Sequence, residues 1–146
     1  MNRFSITILP SRVRLYQCTR DIACGLEGFY HPLRDVLCQT NLSDEITFYL
    51  LIRGDNAATH EVFHKRCISD GRAYHVIDIH EDVPGIDHIG IIHQISKRFV
   101  ERQIPILYVN TYGHNLVFLS EEHMSSAMEV LRDIAYVSSV DAVRIS

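Results

Sequence analysis

The chain has no surplus of positive charge: Lys and Arg number 14 against 18 Asp and Glu, a formal charge of −4 with a pI near 6.1. Binding to nucleic acid needs a cationic excess that displaces phosphate counterions, so the balance argues against that class of partner. Long apolar runs are also missing. The first ten residues, Met1 to Pro10, alternate polar and apolar and are too short for a signal h-region or a membrane span, which predicts a cytosolic protein with no membrane partner. Cysteine is sparse. Cys18, Cys24, Cys38 and Cys67 include no C-x-x-C pair, so a zinc knuckle or a redox dithiol is not expected, and buried reduced thiols are. No Gly-rich phosphate loop and no nucleophile elbow frames the Ser, His and Asp residues. Neither a cofactor nor covalent catalysis is predicted.

What is present is an ordinary globular composition. At 146 residues, with 47% hydrophobic and 22% charged, the chain is one domain or two very small ones, and it can bury a useful core. Arg3 to Leu9 and Arg12 to Cys18 alternate as half-buried strands on either side of Pro10-Ser11. Thr19 to Gly28, with two glycines, reads as a loop. His31 to Cys38 reads as a short helix with Pro32 in its first turn. Glu45 to Ile52 is rich in strand formers, and Thr59 is placed to cap a helix that runs to Cys67.

The second half is written more plainly. Tyr74 to His80 reads as a strand, followed by a loop, Glu81 to Gly85, and a helix that starts near Ile86 or Asp87. Its apolar stripe is Ile89, Ile92, Ile95, Phe99 and Val100. Pro105 stops that helix. Ile106 to Thr111 and Asn115 to Leu119 form a hairpin through Tyr112-Gly113-His114, with Gly113 able to take positive φ. Ser120 is the expected N-cap of a helix over Glu121 to Ile134, and Val137 to Ser146 offers a last edge strand, best at Ala142 to Ile145. The order is β-α-β-β-α with a final β, and the first half echoes it at a spacing of roughly 70 residues. The division predicted is therefore 1–72, a short or incomplete unit, and 73–146.

Two constellations could carry chemistry. His60-Glu61-Val-Phe-His64 satisfies H-E-x-x-H, which on a helix could hold zinc with Glu61 as base; without a third ligand at a known spacing, a solvent-facing mixed helix is the preferred reading. The other is a strand end. Asn110, Thr111, Tyr112 and Gly113 could hydrogen-bond the α-amino and α-carboxylate groups of an amino acid. Pro84-Gly85 before a helix could present free N–H groups, and Glu81, Asp82 or Asp87 could pair a basic side chain. His80, His88 and His114 approach one another if the helix start and the hairpin end are neighbours; otherwise they are ordinary polar residues.

The β-α-β-β-α-β order resembles that of ACT domains, regulatory modules that bind amino acids. More narrowly, Arg12-Val-Arg-Leu15, Tyr30-His-Pro-Leu33, Phe48 to Ile52 and Ile104 to Leu119 resemble, in the same order, segments of the cytosolic arginine sensors (CASTOR) of the TOR nutrient pathway. The likeness covers most of this chain but one half of such a sensor. Thr111 and Tyr112 match the family's strand end, whereas Asn110, His114 and Asn115 depart from it. The resemblance implies an α+β fold of tandem ACT-like, ferredoxin-like βαββαβ units, with an antiparallel sheet and helices on one face. It implies a non-catalytic amino-acid sensor, for arginine or another small metabolite, with a ligand contact at Asn110 and Thr111. A homodimer would restore the four-unit assembly, and a signalling protein would be the listener. The alternatives are a ligand-free interaction scaffold and, third, a zinc hydrolase through His60, Glu61 and His64.

Overall fold

A computed structural model describes residues 4–81, 88–111, 113–134 and 136–139. The chain folds as two compact units: Ser11–Tyr74 forms one, and the N-terminal strand with the chain from His75 onward forms the other. The fold is α+β, of the ferredoxin type.

In the 11–74 unit the order is β2 (Val13–Thr19), α1 (Arg20–Leu26), a 3-10 turn (Glu27–Phe29), β3 (Val36–Leu42), β4 (Glu45–Leu51) and α2 (Ala57–Arg66). β4 lies between β3 and β2 and is antiparallel to both. After α2 the chain returns beside β2 at two points, the Gln17–Ile68 bridge and the Val13–Tyr74 pair, rather than as a continuous fourth strand. Alternate residues of β2 and β4 point at the helices: Tyr16, Cys18, Ile46, Phe48 and Leu50 bury against Ala23, Leu26 and Phe63. Phe63 is the hub. Its ring meets Tyr16, Tyr30 and Phe48 edge-on at centroid distances of 5.4, 5.5 and 5.3 Å, the geometry that the aromatic quadrupole favours.

Three expectations fail in this unit. The predicted loop at 19–28 is α1 and the 3-10 turn, because Ala23 and Leu26 share a buried face whose burial outweighs the helix penalty of Gly25. The predicted helix at 31–38 is a turn leading into β3. His31 Nδ1 accepts the N–H groups of Leu33 and Arg34 at 3.2 Å each, and Asp35 Oδ2 accepts that of His31 at 2.7 Å, so side chains take the donors a helix would need. Asp35 is itself buried. Burial disfavours its charge, but the bonds from His31 and Asn56 and the charges of Arg34 and Arg53 outweigh this and hold its carboxyl below the usual range. Asn56 also donates to the Leu51 carbonyl at 2.7 Å and accepts the Arg53 N–H at 2.9 Å, which ties the end of β4 to the start of α2. Thr59 lies inside α2 rather than at its cap, and its hydroxyl donates to the Phe29 carbonyl.

The other unit runs β1 (Phe4–Ile8), then β5 (Tyr74–Glu81), α3 (His88–Glu101), β6 (Leu107–Asn110), β7 (Asn115–Ser120), a 3-10 turn (Glu121–His123), α4 (Met124–Ile134) and β8 (Tyr136–Ser139). Its strands lie in the order β6-β7-β5-β1-β8, with β1 antiparallel to β5 and parallel to β8. Ile6, Ile77, Ile79, Val117 and Leu119 face α3 and α4, where Ile95, Phe99, Ala127, Met128 and Leu131 complete the core. Val100, expected in the α3 stripe, is 74% exposed, one position beyond the face that Ile95 and Phe99 define. Ser120 makes no side-chain cap, since the 3-10 turn intervenes before α4. The last strand lies at Tyr136–Ser139; the favoured segment, 142–145, lies outside the described residues.

Truncating the aromatic hub, Phe63→Ala, is expected to cost about 3–5 kcal/mol of stability in urea unfolding. A loss under 1 kcal/mol would show that the cluster does not hold the 11–74 unit together.

Candidate functional site

The described residues cover part of the sequence-predicted strand end. Asn110 closes β6 opposite Asn115 and is exposed, and Glu81 closes β5. Asp82, Gly85, Asp87 and Tyr112 lie outside the described residues. Thr111 is committed to the turn: its N–H donates to the His114 carbonyl at 2.9 Å, and its hydroxyl accepts the His114 N–H at 2.9 Å. These two bonds close the hairpin.

The turn projects His114 toward β5. Its Nδ1 lies 2.6 Å from Asp78 Oδ2, and His80 Nε2 lies 3.3 Å from the same oxygen. The His80 and His114 rings sit 6.1 Å apart, so these two histidines approach one another where the preferred reading of the sequence is ordinary polar residues. Asp78 was not singled out from the sequence. It is 3% exposed, and its Oδ1 has no hydrogen-bond partner among the described residues. The signal was there in Ile77-Asp-Ile79: in a strand whose isoleucines face the core, the residue between them faces the other way. Behind this group Asn115 accepts from the Tyr108 hydroxyl at 2.9 Å and donates to the Ile79 carbonyl at 3.1 Å, which fixes β7 beside β5.

A second place lies wholly within the 11–74 unit, a cavity of about 410 Å³ bordered by Arg14, Tyr16, His60, Glu61, His64 and Lys65. It contains the H-E-x-x-H motif, and the geometry removes the zinc reading. His60 is buried rather than solvent-facing. Its Nδ1 meets the Tyr16 hydroxyl at 2.8 Å and its Nε2 the Leu51 carbonyl at 2.9 Å. A carbonyl can only accept, so Nε2 carries the proton, and Nδ1 accepts from Tyr16; no lone pair is left for a metal. Burial pushes the His60 pKa down and the Tyr16 pKa up, so both are neutral partners. Glu61 pairs with Lys65 at 3.4 Å on the exposed side.

Residues 72–133 match the family model of the ACT domain. No curated protein matches the sequence. Among solved structures, the chain is similar to the alpha and beta subunits of an aspartokinase, at 19% identity and a TM-score of 0.62 over 88% of this chain and 95% of that one. A protein of Agrobacterium tumefaciens is similar at 13% identity and a TM-score of 0.62, over 97% and 98% of the two chains. Aspartokinase III of E. coli, solved with aspartate and ADP, is similar at 12% identity and a TM-score of 0.57, over 89% of this chain and 32% of that one. At these identities the likeness establishes the fold. ACT domains are regulatory domains that bind small molecules, amino acids among them.

A histidine kept neutral by burial binds its proton later than the unfolded chain does as pH falls. The stability it contributes is therefore complete above the ordinary histidine value and drains away below it, toward its lowered folded value. Urea midpoints measured between about pH 7.5 and 5 should fall on acidification, and His60→Gln, about 1–3 kcal/mol less stable at neutral pH, should show a shallower fall. Equal slopes in the two proteins would remove His60 as the cause.

Proposed function

We propose that this protein is a non-catalytic regulatory module that binds an amino acid or a similar small metabolite. The observation that carries the reading is the ACT match over 72–133, which coincides with the described β5-α3-β6-β7-α4 order. The ligand is assigned to the strand end Asn110–Gly113, together with the acidic segment that follows β5 in sequence. There Asn110 supplies an exposed amide, Gly113 has open space where a side chain would stand, and acidic residues at 81, 82 and 87 would meet an amino or guanidino group. Thr111 acts there through its place in the turn. The narrower reading, a nutrient sensor related to the arginine sensors with a signalling protein as listener, rests on the resemblance of the short motifs. The division into two ACT-like units, 1–72 as the short or incomplete copy and 73–146, belongs to the same reading. Four free cysteines agree with a reducing, cytosolic setting.

One observation favours the scaffold alternative: Leu33, Leu42 and Ile68 are 89%, 73% and 74% exposed. Thermal shift against the twenty amino acids separates the readings. A ligand at 100 times its Kd adds about 2.7 kcal/mol, and Asn110→Trp should abolish the shift while leaving the unliganded melting temperature unchanged. No shift with any amino acid, or a shift that Asn110→Trp leaves intact, would remove this strand end as a ligand site.

The homodimer has a structural route. β3 is the outer strand of its unit, paired on one side with β4, and from Gln39 to Leu42 it is exposed, so its other edge can take a second copy. Light scattering on a sizing column should give twice the mass of the chain, and Leu42→Lys, which places a charge on that edge, should shift it to the monomer. Monomeric wild-type protein would end this proposal.

A further inference from the structure

We propose that Asp78, His80 and His114 form a binding site for a divalent transition ion of the zinc class. The inference does not depend on the amino-acid reading. Asp78 and His80 are two residues apart on β5 and so project from the same face, while the Thr111–His114 turn delivers His114 from the neighbouring β7 hairpin. One ligand atom from each lies within 4.8 Å of the others. Donors held at 2.0–2.2 Å from a shared ion stand about 3–4 Å apart, and rotation of the two partly exposed imidazoles closes that difference.

The strongest sign is the carboxylate. A buried charged oxygen without a hydrogen-bond partner is costly, and Asp78 Oδ1 has none among the described residues. Two histidines crowded on Oδ2 satisfy only the other oxygen. A cation between the three side chains would neutralise the group and give the carboxylate a second strong partner. The donor set selects the ion. Two imidazole nitrogens and one carboxylate oxygen suit zinc, cobalt or nickel, whereas magnesium and calcium prefer oxygen ligands throughout. Three protein ligands leave one tetrahedral position open to water or to a donor atom from a bound molecule. The second shell is already built: Asn115, which follows His114, is fixed to Tyr108 and to the Ile79 carbonyl, so the strand that carries the third ligand is locked to the strand that carries the first two.

The test is titration of the metal-free full-length chain with Zn²⁺ by calorimetry, with Co²⁺ absorbance as the geometric readout. The expected result is one ion per chain, a visible Co²⁺ band of tetrahedral intensity, and no competition from excess Mg²⁺. His80→Ala and His114→Ala, both at partly exposed positions, should each weaken binding by more than the roughly tenfold that loss of an outer-shell partner costs. His64→Ala, in the other unit, should bind as wild type does. Asp78→Asn should abolish the Co²⁺ band. If it fails to fold, the two histidine variants still decide the matter. Absence of stoichiometric Zn²⁺ binding, or binding that His80→Ala and His114→Ala leave unchanged, would overturn the proposal.

Discussion

The pleat of β5 is the constraint on which the C-terminal unit depends. Its register with β1 sets Ile79 opposite Ile6 and Ile77 opposite Ile8, which delivers four branched side chains to the face that α3 and α4 cover. Because a strand repeats every two residues, a slip of one position would turn Ile77 and Ile79 outward and drive Asp78 into that core. The loss of apolar burial alone would be about 1.5–3 kcal/mol for each isoleucine, and an unpaired carboxylate among Phe99, Val117 and Leu131 would add to it. One register is therefore heavily favoured, and it fixes Asp78 and His80 side by side on the opposite face. Core and candidate metal site are two consequences of one alternation.

The two units solve the same packing problem with different closures. In each, a strand is followed by a helix, a hairpin and a second helix, and the third strand returns beside the first: β3-β4-β2 in one, β6-β7-β5 in the other. The difference lies at the far edge. After α2 the chain returns beside β2 at the Gln17–Ile68 bridge, bonded both ways at 2.8 Å, and at the Val13–Tyr74 pair, without a continuous strand between them. After α4 it makes β8, which pairs with β1 rather than with β5, because the N-terminal strand occupies the place beside β5. A unit without a continuous fourth strand must gain its cohesion elsewhere. The Phe63 aromatic cluster and the Asp35–Asn56–Leu51 bonds supply it.

How far the sequence discloses this fold follows from where the determining contacts lie. β5, β7, α3 and α4 were legible because their period is carried by residues that pack on one shared face, and α4 repeats Ala127, Met128 and Leu131 at helical spacing. α1 was hidden by Gly25, since a local propensity penalty is visible in the sequence and the burial of Leu26 that outweighs it is not. The segment 31–38 failed for the opposite reason. Leu33, Val36 and Leu37 have helical spacing, but Leu33 is 89% exposed, and Asp35 is held by Asn56, twenty-one residues further on. At the strand end the periodicity places Asn110 and Thr111 in the hairpin, whereas the bond from the His114 N–H to the Thr111 hydroxyl comes from turn geometry that spacing does not disclose.

The histidines show why local motifs and spatial sites diverge. His60 and His64 fit a metal pattern by spacing alone, but a histidine can bind a metal only through a nitrogen whose lone pair is unused. The Leu51 carbonyl and the Tyr16 hydroxyl, contributed by β4 and β2, occupy both nitrogens of His60. Asp78 and His114 fit no short pattern because thirty-six residues, with α3 and β6 among them, separate the two, and only the pairing of β7 with β5 brings them together. A donor set built across neighbouring strands inherits the rigidity of the sheet, whereas one built on the ten-residue α2 must compete with that helix's own packing into the core. In this chain the packing won at α2, which leaves the sheet as the scaffold on which metal chemistry can be built.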